Sequence, residues 1–100
     1  MSILAKKQIK DDSKVFIGRK RSINYVLAAM VILNDNRPVR LLARGKSISR
    51  AVDVAEILKN NFIKGANYGE VLIDSEEITN RDGSKSNVSS MEIEILPPKK

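Results

Sequence analysis

Two segments of this chain are built on one plan, and that repetition constrains the fold more than any other feature. Val15-Phe16-Ile17-Gly18-Arg19-Lys20-Arg21-Ser22 and Leu41-Leu42-Ala43-Arg44-Gly45-Lys46-Ser47 each read as an apolar strand, a glycine loop carrying cations, and a helix start. Gly45 permits a tight turn, because a residue without a Cβ takes positive φ cheaply. Ser47 is of a type that caps a following helix. Right-handed strand–helix–strand crossovers bring the ends of two parallel strands to the same sheet edge. Both loops should therefore contribute to one surface. Cations at a helix start oppose the macrodipole, where Asp or Glu would be the stabilising choice. Arg19, Lys20, Arg21, Arg44 and Lys46 all take such places. The free N–H groups of a helix N-terminus hold anions, so the repeated choice points to phosphate.

The rest of the chain supplies the elements around these loops. Lys14 to Ile17 is a short strand and Ser22 to about Asn34 a helix, ended by Asn34-Asp35-Asn36-Arg37-Pro38. The run Tyr25 to Leu33 would suit a buried strand by periodicity, but Ala28, Ala29 and Met30 favour helix. Apolar on nearly all sides, it should be covered on more than one side. Val39 to Ala43 lacks alternation and reads as a central strand. Ser47 to Phe62 is the second helix, with a main apolar stripe of Ile48, Ala51, Val52, Ala55, Leu58 and Phe62. Val54 and Ile57 sit off that stripe. They and Phe62 fit either core or interface, while Tyr25 fits the core.

An extended segment, Tyr68 to Thr79, and a half-buried strand, Ser86 to Leu96, flank an Asp82-Gly83 hairpin turn. The expected fold is a two-layer α/β domain of order β-α-β-α-β-β. It has a mixed four-stranded sheet, two helices and a long projecting β-hairpin. Residues 1–13 are polar and lysine-rich and read as a flexible basic arm. Residues 14–100 read as a single domain. The hairpin tip carries Arg81 and Lys85, suited to phosphate and the minor groove; an ordinary solvated hairpin fits as well. Arg50, one turn into the second helix, joins the candidate cations, and Asp53 three residues on is a pairing partner.

Composition narrows the chemistry. The net charge is +6, distributed as twelve Lys/Arg against three Asp/Glu in residues 1–50 and six against nine in residues 51–100. A basic half favours anionic partners, with nucleic acid first. Cysteine and histidine are both absent, which removes disulfides, thiolate metal sites and imidazole bases. No metal, cofactor or catalytic group is expected, and the paired carboxylates form no acid/base pattern. Gly45-Lys46-Ser47 ends like a P-loop but lacks the upstream glycine. The nine-residue apolar run from Tyr25 to Leu33 is far short of the ~20 residues of a membrane span.

In Gly18-Arg19-Lys20-Arg21-Ser22-Ile23-Asn24-Tyr25-Val26-Leu27-Ala28-Ala29 and Ala43-Arg44-Gly45-Lys46-Ser47-Ile48-Ser49-Arg50-Ala51-Val52-Asp53 the chain resembles the Alba family of archaeal chromatin proteins. The resemblance runs from about residue 13 to residue 96. It implies a homodimer, or a heterodimer with a paralogue, that binds double-stranded DNA and RNA with little sequence preference. It also implies coating and compaction of DNA, in the cytoplasm on the chromosome. The alternative is an RNA-dedicated ribonucleoprotein subunit. Matching positions carry the family roles over: Arg19, Lys20 and Arg44 as loop cations, with Lys46, Arg81 and Lys85 in the matching loop and arm. Val54, Leu58 and the last two strands would lie near the dimer contact. Phe62 matches an aromatic that packs between neighbouring dimers. The family's acetylated lysine belongs to a Lys-Lys pair that here reads Arg19-Lys20, which leaves Lys20 as the acceptor to test.

Overall fold

The computed structural model describes residues 13–99, so the expected basic arm lies, but for Ser13, outside the described residues. The elements are β1 (Lys14–Phe16), α1 (Ser22–Asn34), β2 (Val39–Arg44), α2 (Ser47–Ile57) with a π-helical turn (Leu58–Phe62), β3 (Asn67–Thr79) and β4 (Lys85–Leu96). They form one four-stranded sheet of order β1-β2-β4-β3. β1 and β2 are parallel, and β4 is antiparallel to both β2 and β3. The expected two-layer α/β architecture is the one observed.

Pairing fixes which side chains face the helices. Val15 lies beside Leu41, Leu41 opposite Ile93, and Val39 opposite Ile95. All of these are buried, with Leu41, Val39 and Ile95 fully so. The helices cover this face with Val26, Ala29, Leu33, Ala51, Val54 and Leu58. On α2 the positions Ala51, Val54, Ala55 and Leu58 follow the i, i+3, i+4, i+7 spacing of one helix face. Val52 and Phe62 are instead 43% and 45% exposed. The buried stripe is therefore rotated from the expected one: Val54 belongs to the core and Val52 does not. The helix also loosens at its end, where the Ile63 N–H donates to the Leu58 carbonyl at 2.7 Å, five residues back.

α1 is covered within the chain on one side only. Tyr25, Val26, Ala29, Ile32 and Leu33 are buried, while Ile23, Leu27 and Val31 stand exposed. Beyond Ile93 the β3–β4 ladder leaves the helices behind. No residue between Val71 and Ser90 is buried, and the molecule reaches 51 Å along its longest axis. The turn is wider than a two-residue hairpin: Gly83 N–H donates to Asn80 O at 3.0 Å, and Asn80 N–H donates to Ser84 O at 2.7 Å.

Candidate nucleic-acid interface

Both basic loops leave the same edge of the sheet, because β1 and β2 run parallel as neighbours. The arm leaves from that edge too. Arg44, the last residue of β2, pairs with Ser90, and β4 residues 85–89 extend past it. At ~3.3 Å per residue that overhang is ~17 Å. Loops and arm therefore share one end of the molecule, where the loops are basic and residues 75–89 of the arm set Arg81 and Lys85 against Glu76, Glu77 and Asp82.

Each loop is held by specific contacts. The Tyr25 hydroxyl accepts the backbone N–H groups of Gly18 and Lys20, both at 2.9 Å. Gly18 passes so near this phenol that an added Cβ would stand 3.2 Å from its oxygen. The Arg50 guanidinium donates to the Gly18 carbonyl at 3.0 Å, tying α2 to the first loop. Gly45 has φ 52°, and its N–H donates to Ser89 O at 2.8 Å. The second loop is thereby fastened to the root of the arm. Tyr25 is buried, as expected of a core residue. Its second role, as loop anchor, is one that sequence reasoning missed; its place seven residues after Gly18, in the first turn of the helix that follows the loop, is the available signal.

The helix starts are bare of side-chain compensation. Arg21 and Lys46 stand at the N-cap positions of α1 and α2, and neither helix has a side-chain cap or an acidic residue in its first turn. Ser47 is the first helical residue rather than the cap. The N–H groups of both first turns, with their positive macrodipole ends, thus face the same edge as the cations.

Arg19, Lys20, Arg21, Arg44, Lys46, Arg81 and Lys85 are all exposed at this end, Lys20 and Lys46 among the loop cations. Arg50 is half-buried and bonded to Gly18 rather than to Asp53. It positions the loop that bears the cations. Val54 and Leu58 do not fit the expected dimer contact, since each is fully buried in the chain's own core. Phe62 keeps an accessible ring. Glu56, on the exposed side of α2, accepts a hydrogen bond from the Tyr68 hydroxyl.

The helix-free face of the sheet has a different character. Arg40 bridges Glu92 at 2.6 Å, Glu70 at 3.0 Å and Glu94 at 3.5 Å. The hydrogen bonds that Arg40 donates to Glu70 and Glu92 raise its already high pKa further. Beside it a hollow of about 490 Å³ is lined by Phe16, Leu42, Leu72, Arg44, Asp74, Glu76 and Glu92 among others. Three carboxylates against one guanidinium make that hollow unfavourable for phosphate, which leaves the loop edge as the candidate anion surface. Among the described residues, no cluster of metal-ligating side chains occurs, and no helix is long and apolar enough to cross a membrane.

This combination of a β-α-β-α-β-β two-layer domain, paired basic loops and a projecting hairpin defines a known class of small α/β domain. The Alba family model matches residues 13–75. The chain is 45% identical over 85 residues to the DNA/RNA-binding protein Alba of Picrophilus torridus, covering 83% of this chain and 93% of that one. It is 40% identical over 90 residues to the DNA/RNA-binding protein Alba of Methanocella arvoryzae, covering 89% and 94%. The solved structure of Alba from Thermoplasma volcanium superposes with a TM-score of 0.78 at 45% identity, over 83% of this chain and 98% of that one. ALBA1 from Trypanosoma brucei shares the fold, with a TM-score of 0.70 at 22% identity over 88% and 71%. The chain belongs to the Alba family.

Proposed function

We propose that this chain binds nucleic acid through the loop-and-arm edge, without catalysis and with little sequence preference. The observation that carries the reading is the pair of uncapped helix N-termini set among exposed cations on one edge, with Arg81 and Lys85 of the hairpin beyond. Each feature matches phosphate and none reads a base edge, and phosphate contacts position a protein without specifying sequence. The names of its relatives, DNA/RNA-binding protein Alba, support both nucleic acids as ligands and indicate no catalytic activity. Double-stranded DNA is the favoured target, coated and compacted on the chromosome in the cytoplasm. RNA is the second ligand.

The binding unit is a homodimer. The helix side of the hairpin root supports this: Val71 and Ile73 are 50% and 74% exposed beside half-buried Met91. A second copy covering that strip would set two basic edges side by side. Phe62, exposed at the end of α2, serves contacts between dimers. Lys20 is the lysine available for acetylation at the first loop.

Salt titration tests the reading. Displacing counterions from phosphates makes log K fall linearly with log salt. Replacing Lys20 or Arg44 by Ala should weaken binding equally on unrelated duplexes and reduce the slope by ~1 for each phosphate no longer neutralised. Unchanged affinity and slope in both variants would remove the proposed edge. Ile73→Glu should convert the dimer to monomer by sedimentation.

A further inference from the structure

The cations of the basic end fall into two groups. Among the described residues, Arg19, Lys20, Arg21, Lys46 and Arg81 form no ion pair. Arg44 and Lys85 do. Arg44 Nε lies 3.4 Å from a Glu76 carboxylate oxygen, and Lys85 Nζ lies 3.6 Å from a Glu77 carboxylate oxygen. Glu76 and Glu77 are neighbours on β3, opposite Val88 and Asn87 of β4. Consecutive strand residues point to opposite faces. One glutamate therefore reaches the loop cation on the helix-free face, and the other the arm cation on the opposite face.

We infer that Glu76 and Glu77 act as internal phosphate mimics, occupying Arg44 and Lys85 in the free protein and setting its affinity for nucleic acid. The inference rests on the binding reading above. A carboxylate and a phosphate present the same kind of oxyanion to a guanidinium or ammonium group. Nucleic acid must displace the glutamate or share its cation. Both pairs are open to solvent, with side chains 40% to 65% exposed. They are thus weak enough to exchange and strong enough to hold affinity down. Neither glutamate is needed for the fold, since β3 and β4 remain joined by their backbone ladder from Val71/Ile93 to Thr79/Lys85.

The test uses the full chain and a mixed-sequence DNA duplex at fixed salt, with dissociation constants read by fluorescence anisotropy. E76Q and E77Q each raise the net charge by one, so D53N, an exposed change on α2, is the charge control. Each glutamine variant should bind about 1.5- to 5-fold more tightly than D53N, the range of exposed ion pairs. The excess of E76Q should vanish in an R44Q background, and that of E77Q in a K85Q background. An excess that persists without the cation, or no excess over D53N, overturns the inference while leaving the binding edge standing. Parent-like affinity in both R44Q and K85Q would remove these two cations from the binding edge and overturn the mimicry, while the edge itself stands or falls with Lys20→Ala. Equal melting temperatures for all variants confirm that the differences arise in binding.

Discussion

The body loops and the arm both present cations to the same end of the molecule, yet they are ordered by opposite means. The first loop is clamped from within: a buried phenol takes two of its N–H groups and a half-buried guanidinium takes its carbonyl. The arm has no buried residue at all. Its order comes from the backbone ladder and from short polar side chains at the tip. Asn80 donates to the Ser84 and Ser86 hydroxyls at 3.0 and 2.8 Å, and Asp82 accepts from the Ser84 N–H and hydroxyl. Packing thus fixes where the loop cations sit, whereas the arm cations are placed by the ladder and the tip hydrogen bonds alone. The amides of such a solvent-exposed ladder should exchange faster than those of the body.

The sharpest way to break this contrast is to remove what holds the body. Leu58 is fully buried where the π-helical turn meets the core. Leu58→Ala should cost about 2–5 kcal/mol of unfolding free energy in a denaturant titration. Shortening the arm to a bare turn should cost far less, because no core side chain is removed. Equal costs would mean that the arm is part of the core's cooperative unit. A finer cut is Tyr25→Phe, which keeps the ring and deletes the acceptor. Two loop N–H groups are left without their partner, at about 0.5–1.5 kcal/mol each. Amide exchange at Gly18 and Lys20 should accelerate, and the loop's share of duplex affinity should drop. Unchanged exchange there would show that the loop is held without the phenol.

These interactions also mark how far the sequence can be read. Element order, the mixed sheet and the shared loop edge follow from apolar runs, glycines and one rule about crossover handedness. The cations are visible as residue types in an unfavourable place. What fixes them is not. Arg50 has Asp53 three residues away, and local spacing argues for that pair; the tertiary fold offers a carbonyl 32 residues distant instead. Val54 looks peripheral when the stripe runs through Val52 and Phe62, two apolar residues that the fold leaves outside. Helical periodicity says that a face is apolar, but only the position of the sheet says which of two overlapping faces turns inward. The glutamate partners of Arg44 and Lys85 depend on cross-strand register, which a hairpin turn of another length would shift.

The smallest expected effect separates arm from body most cleanly, because it is confined to the tip. Hydrogen bonds from Ser84 hold the Asp82 carboxyl below its ordinary value of 3.8. A depressed folded-state pKa means that the ordered tip favours the carboxylate. Its contribution is present above the unfolded-state value and is lost as pH falls through the folded-state value. The tip should therefore loosen only in acid, below about pH 3.8. Following the Ser84 amide shift by NMR during an acid titration should give a midpoint under that value. Asp82→Asn removes the titrating group and should flatten the curve. Gly18, Lys20 and Gly45 amides should hold still through the same step, since their partners are a phenol oxygen and a backbone carbonyl rather than a carboxylate. If those loop amides moved with Ser84, tip and body would be coupled and the two modes of order would be one. If only the tip moved, the arm would be shown to keep its own local structure, independent of the packing that sets the loops.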